Sequence, residues 1–272
     1  MTVRMGTSVL ENELNYLKAA KLIKSARSIV LLAGAGMSVD SGSSTYEDPN
    51  SLVKDFPELA GEGITSYNEI AKAKWFTLKP SIAWLFANST KNNYLQSEPH
   101  EGYKILKAWL KAKHTSFTVT TNVDGAFIRS GFEEVLEIHG NHFHLQCTNN
   151  CRNETWPSNN KIGNREAMPI CLHCGAIARP NILYFEDPNF CAENYERQLN
   201  QYRQFMAHAS LRKPIAIEIG AGTLLPKLRH ESLKFDHVIR INPNSDDDFS
   251  NENTIHIQET ALNALRRLNE LI

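Results

Sequence analysis

Four of the five cysteines fall in two close pairs, Cys147-x3-Cys151 and Cys171-x2-Cys174, with 19 residues between the pairs. Two thiolate pairs joined by a loop can surround one ion and make a closed tetrahedral zinc site. Four protein ligands leave no open coordination position, so such a metal would be structural and not Lewis-acidic. His173 lies inside the second pair, but four thiolates suffice without it. The segment is polar enough that zinc binding would supply its stability. The fifth cysteine, Cys191, stands alone and reads as a buried or surface thiol. This odd count suits a reducing compartment with a metal site better than a disulfide framework.

A second set of chemically capable residues lies at the ends of short apolar runs. Gly34-Ala35-Gly36-Met37-Ser38 follows the run 28–34. Glycines there would let the backbone approach a pyrophosphate, with a following helix N-terminus adding N–H donors, although Val39 stands where a third glycine is usual. Thr121-Asn122-Val123-Asp124 follows the run 115–120 and offers an amide and a carboxylate two residues apart. The pair could grip a carboxamide and a ribose, or make an Asx turn capping the next helix. His139-Gly140 follows 134–138, where an imidazole with an unperturbed pKa of about 6.5 suits proton transfer. His142 and His144 compete for that role. Gly220-Ala221-Gly222-Thr223 and Ile241-Asn242-Pro243 end two later runs and would suit ribose, phosphate and adenine contacts.

The elements that must position these residues are legible as a rhythm. Apolar runs at 28–34, 115–120, 134–138, 213–219, 236–241 and 254–258 read as strands. Helical patterns at 8–25, 99–112, 222–231 and 259–272 lie between or beside them; in the first, Leu10, Leu14 and Leu17 share a face. Strands alternating with helices predict an α/β fold with a parallel sheet covered on both faces. Residues 43–98, which carry Trp75, Phe76, Trp84 and Phe86, and residues 141–180, with the paired cysteines, break the rhythm. They read as two insertions, one helical and one a zinc module, that together build a smaller domain. Residues 1–42, 99–140 and 181–272 then form the Rossmann-like large domain. Asp246-Asp247-Asp248 reads as a solvated turn.

The bulk properties exclude other classes. The formal net charge is -1, so no global field favours nucleic acid. No run approaches the roughly 20 apolar residues that cross a bilayer, and the N-terminus lacks an apolar signal core. A cytoplasmic or nuclear setting is therefore expected. The oligomeric state is not readable.

The order of these motifs resembles the sirtuin family from about residue 25 onward. The chain reads GAGMS, TTNVD, HG, two cysteine pairs, Ala178-Arg179-Pro180-Asn181-Ile182-Leu183-Tyr184-Phe185, GAGT and IN. The resemblance implies a Rossmann-like domain, a zinc-plus-helical small domain, and NAD as co-substrate in the cleft between them. It implies an acylated protein lysine as partner, with nicotinamide and O-acyl-ADP-ribose as products. His139 would be the catalytic base, with Asn122 and Asp124 beside the nicotinamide. Gly34, Ala35, Gly36, Ser38, Tyr46, Thr121, Gly220, Ala221, Gly222, Thr223 and Asn242 would contact the rest of the cofactor.

The chain departs from the family pattern at three places. Where the family reads I-P-D-F-R, this chain reads Ser43-Ser44-Thr45-Tyr46-Glu47. Tyr46 could replace the shielding Phe, but Glu47 reverses the charge of an arginine near the NAD phosphates. Like charges about 4 Å apart at an effective dielectric near 20 cost about 4 kcal/mol. Either the loop takes another path, or a cation such as Lys227 or Arg229 compensates, or NAD binds weakly. The family's F-G-E peptide clamp reads Phe185-Glu186-Asp187, and Thr121 stands where Gln is usual. These departures keep two other readings open: a protein ADP-ribosyltransferase or NAD hydrolase on the same fold, and a non-catalytic zinc-stapled binding module.

Overall fold

The computed structural model describes residues 2–43, 52, 56–158, 168–223, 226–244 and 250–272, apart from the side chains of residues 2–9, 58 and 60. Tyr46, Glu47 and the Asp246–Asp248 run lie outside the described residues.

Six strands form one parallel sheet: β1 (Ser28–Ala33), β2 (Thr115–Thr120), β3 (Val135–Glu137), β7 (Ile215–Ile219), β8 (Val238–Ile241) and β9 (Thr254–Ile257), in the order β3-β2-β1-β7-β8-β9. Every run read as a strand is one, shortened by up to two residues at its ends. The chain builds outward from β1 to β3, then returns to the other side of β1 with β7. That reversal is the topological switch point of a doubly wound sheet, where a crevice opens at the carboxyl ends of the strands.

Burial on both faces explains why these strands read as continuous apolar runs and not as alternating ones. In β1, Ile29, Leu31 and Ala33 join one buried cluster with Tyr103, Leu106, Trp109 and Leu265, while Val30 and Leu32 join another with Tyr202 and Leu228. The first layer is made by helices α1 (Thr2–Ser25), α3 (Glu101–Lys111) and α5 (Ala261–Leu271). The second is made by α4 (Glu193–Ala209) and the short helix Lys227–Ser232. In α1 the buried side is Tyr16, Ala19, Ala20 and Ile23, and Leu10, Leu14 and Leu17 are exposed. The leucine face is thus not the core face. The small alanines form the inward stripe, and Asn15 Nδ2 donates to the His256 carbonyl at 2.9 Å beside β9.

Residues 43–98 contribute α2 (Pro80–Gln96) and several one-turn helices. Phe76, Trp84 and Phe86 are buried there. A second sheet of three strands has the order β5-β4-β6, from β4 (Gly140–Cys147), β5 (Thr155–Pro157) and β6 (Ala178–Ile182). No strands are apparent there from periodicity, because the antiparallel β4–β6 pairing is broken by an irregularity between Asn141 and Leu145. The ladder also runs across both expected limits of the cysteine module. It has a small core of its own: Leu145, Ile182 and Tyr184 pack with Phe76, Ala83 and Trp84 of the helical insertion.

Candidate functional site

Sheet register brings the site together. Ala33 pairs with Thr120 on one side and Ile219 on the other, Thr120 with Glu137, and Ile219 with Ile241. The residues that follow each strand therefore emerge along one edge: Gly34, Thr121, Ile138-His139, Gly220 and Asn242. This juxtaposition follows from parallel pairing alone.

At the switch point the two glycine turns pack backbone on backbone. A Cβ on Gly34 would lie 2.5 Å from the Gly220 carbonyl oxygen, and one on Gly36 would lie 2.7 Å from the Gly220 Cα. Gly220 itself has φ +60, the left-handed region that favours glycine. Gly36 N–H donates to the Gly220 carbonyl at 3.0 Å, and Met37 and Ser38 N–H donate back to Gly34 and Ala35. The expectation of a phosphate-binding helix N-terminus therefore needs correction. The helix is only Gly36–Val39, and these N–H groups are spent within the turns. The glycines here permit turn-to-turn packing. Ala35, Gly222 and Thr223 are exposed on its rim.

Beside this packing lies a buried polar cluster. Ser38 Oγ donates to Asp124 Oδ2 at 2.5 Å and accepts from Asn122 Nδ2 at 3.1 Å. The Tyr103 hydroxyl lies 3.0 Å from the same oxygen. Burial, and after it the Asp124 charge, hold the Tyr103 phenol well above its ordinary range, so it stays a neutral donor. Asp124 Oδ1 accepts from Ala126 N–H at 2.8 Å. Asp124 is thus both an Asx cap and a partner of Ser38. Asn122 N–H is held by Thr120 Oγ1 at 3.0 Å.

His139 is half-buried at the same edge. Burial first, and then the Lys227 ammonium, push its imidazole down to about 4, against a hydrogen bond to the Thr121 backbone. The pKa is thus not near 6.5, and the ring is neutral at pH 7. His142 is fully enclosed, and burial, with Lys91 second, takes it down to about 3. His144 Nδ1 lies 3.1 Å from Asn141 Oδ1, on the cysteine-bearing sheet. Of the three histidines, His139 alone stands at the strand-end edge.

One further expectation, that Arg229 compensates for Glu47, changes once its neighbours are seen. Asn242 Nδ2 donates to the Ala221 carbonyl at 3.1 Å, bracing the second glycine turn from β8. Arg229 is buried, 2.9 Å from Glu218, and donates to the same carbonyl at 2.9 Å. Its charge is committed to the core and does not stand in for a missing arginine. Glu186 has φ +53, which explains why glycine suits that position, and its carboxylate pairs with Lys72 at 2.8 Å. Phe185 N–H donates to the Ala71 carbonyl at 2.9 Å, tying the return strand to the helical insertion.

Three residues of the site escape sequence reasoning. Tyr103 sits among the core positions of a predicted helix, where a hydroxyl carries no periodic signal. His100 caps α3 through Nδ1, which accepts from Gly102 N–H at 3.0 Å, and its Nε2 reaches the Met37 carbonyl at 2.8 Å. Glu137 is buried in β3; Asn141 Nδ2 donates to it at 2.6 Å, and its N–H donates to Gln198 Oε1 at 2.9 Å. Burial pushes this carboxyl up to about 7, although both amides oppose the shift.

The four paired cysteines converge, with all sulfurs within 4.8 Å of one another. Cys147 and Cys174 sulfurs are 3.5 Å apart, and those of Cys151 and Cys171 are 3.6 Å apart. A tetrahedral zinc with bonds of about 2.3 Å sets sulfur–sulfur edges of about 3.8 Å, so the donor set fits that ion. His173 instead pairs with Glu154 at 3.1 Å. Cys191 is fully buried and apart from the cluster.

A model of the Sir2 family matches residues 34–209. An NAD-dependent protein deacylase of Aquifex aeolicus is 31% identical over 158 residues, covering 58% of this chain and 61% of that protein. One from Thermococcus kodakarensis is 28% identical over 173 residues, covering 62% and 64%. The alignments thus span a little under two-thirds of these relatives' length. One from Leishmania major is 30% identical over 190 residues, covering 68% and 74%. The crystal structure of a Sir2 homolog–NAD complex superposes with a TM-score of 0.72 over 93% of each chain at 17% identity, a likeness of fold.

Proposed function

Because this chain belongs to the Sir2 family, we propose that it is an NAD-dependent protein-lysine deacylase, with the crevice at the β1/β7 switch point as its active site. The observation that carries the reading is the convergence of Asn122 and Asp124 on Ser38, at the same strand edge as a neutral His139. When bound, NAD supplies a ribose whose bond to nicotinamide can be exchanged for a bond to an acyl-lysine oxygen. One water is consumed, and the products are free lysine, nicotinamide and O-acyl-ADP-ribose.

The chain's own residues supply the rest. His139 stands at the strand-end edge as a neutral ring, which can accept a proton from a ribose hydroxyl. Asp124 and Asn122 are fixed by Ser38 before any ligand arrives, so they orient a carboxamide without reorganising. The interlocked glycine turns and Asn242 give the dinucleotide a rigid floor. Zinc held by Cys147, Cys151, Cys171 and Cys174 would be structural, and no step of the chemistry uses it. The large domain in this reading is 1–42, 99–140 and 181–272, with 43–98 and 141–180 as the small domain. The substrate side is an acylated lysine on a protein.

One assay separates this reading from its competitors. Labelled NAD is incubated with the chain, with and without an acyl-lysine peptide, while nicotinamide, O-acyl-ADP-ribose and protein-bound ADP-ribose are resolved. Nicotinamide release that requires the acyl group, with O-acyl-ADP-ribose formation that His139→Ala abolishes, is expected. Release without acyl-lysine, or label gained by protein, would establish the hydrolase or ADP-ribosyltransferase reading instead. No release at all, with the fold intact, would leave a binding module.

A further inference from the structure

We propose that the exposed leucine seam of α1 is the surface through which two copies of this chain pair, helix against helix and antiparallel. Leu10, Leu14 and Leu17 are 72%, 50% and 56% exposed. Their spacing of four and then three residues is the a/d alternation of a coiled-coil seam, with Leu14 at a and its neighbours at d. The core side of the helix is already taken by Tyr16, Ala19, Ala20 and Ile23. Three aligned leucines left in water on a long helix are unusual for a chain that stays alone.

The flanking charges point to a second copy as the occupant, and to the antiparallel sense. Glu11 and Lys18 lie seven residues apart, on the same side of the seam, and both are exposed. Among the described residues neither makes an ion pair. Glu13, the acid that a parallel pairing would use, is held by Arg267 of its own chain at 2.6 Å. With two helices antiparallel about Leu14, Leu10 of each copy meets Leu17 of the other. Glu11 of each copy then lies beside Lys18 of the other, so the two-fold axis makes the same ion pair twice. The seam is short, so the dimer is expected to be weak, with a dissociation constant on the order of ten micromolar. This inference is independent of the proposed activity.

Sedimentation velocity tests it on the full chain, from about one-tenth to about thirty times that concentration. The wild type should pass from monomer to dimer across the range. Leu14→Arg should remain monomeric throughout with an unchanged circular dichroism spectrum, since half of that side chain is already in water. Glu11→Lys and Lys18→Glu should each weaken pairing by about tenfold, because each turns two attractions into two repulsions. The double reversal, Glu11→Lys with Lys18→Glu, should return to wild-type affinity. A wild type that stays monomeric, a dimer indifferent to Leu14→Arg, or a double reversal without rescue would each overturn the proposal.

Discussion

The strand-end crevice and the four-cysteine module are both small polar regions, but they are held in opposite ways. In the crevice Asn122 and Asp124 are positioned twice. Parallel register sets their height, and buried hydrogen bonds to Ser38 set their direction. Beneath it, β1 and β7 are buried along their whole length. In the module, Cys151 and Cys174 are exposed, and so are Ile170 and Leu172, at 57% and 92%. Among the described residues, Leu145, Trp156 and Ile177 of the module pack with Phe76, Ala83 and Trp84 of the helical insertion. The sheet can thus hold the crevice without a ligand, whereas the described cysteine loops have few buried apolar contacts and rest on turn hydrogen bonds such as Cys171 N–H to the Ala176 carbonyl at 2.7 Å, together with thiolate coordination.

Metal removal should break the two apart most visibly. Chelation, or Cys171→Ser, is expected to abolish amide protection over the loops 148–154 and 168–177. The amides of β1, β2, β7 and β8 should keep theirs. Hydrogen exchange read by mass spectrometry checks this directly. Equal loss in both regions would mean that the module supports the sheet, contrary to the comparison.

The crevice should respond to a change that leaves it folded. Asp124→Asn keeps the shape and the Oδ1 cap but removes the charge that Ser38 faces. Deacylation should fall by about 100-fold or more, as when a positioned polar group is lost from a preorganised site. The melting temperature should move little. A variant that loses activity only because it unfolds would show the cluster to be merely structural.

How far these regions were legible follows from the same physics. The sheet declared itself because buried parallel strands are continuous apolar runs, and the metal site because thiolate spacing is nearly unique to it. Order along the chain placed His139, Asn122, Asp124 and the glycine turns at strand ends, and parallel register then aligned them. Tyr103, His100 and Glu137 were hidden because their roles depend on partners far along the chain: Ser38, Met37 and Gln198. The exposure of Leu10, Leu14 and Leu17 was hidden for a related reason. Periodicity names a face but not which face meets the core, and on α1 the alanines took it. Likewise, Gly34 and Gly36 read as ligand-approach glycines, and only the packing showed Gly220 pressed against them.

The depressed imidazole sharpens the contrast in a rate profile. The pH dependence of kcat/KM reports groups in the free enzyme. With His139 down at about 4, the acid limb should fall well below the 6.5 of an unperturbed histidine. Lys227→Met removes the second cause of the shift, so it should move the limb upward. A limb at 6.5 in the wild type would place the base elsewhere.

The smallest effect is on stability, where two buried groups beside the crevice pull in opposite directions. His142 has a folded-state pKa of about 3, below its unfolded value, so the unfolded chain binds more protons as pH falls through 6.5. Between pH 7.5 and 5.5 this should cost the wild type on the order of 1 kcal/mol. Glu137 has the reverse sign. Its folded pKa, about 7, lies above the unfolded value, so ionisation in the folded state costs stability above pH 7 and that cost is relieved on acidification. Denaturant melts of His142→Leu and Glu137→Gln at the two pH values separate them. Relative to wild type, His142→Leu should gain on going to pH 5.5, and Glu137→Gln should lose. If both variants shifted in the same direction, burial would not be what sets the charge states of His142 and Glu137.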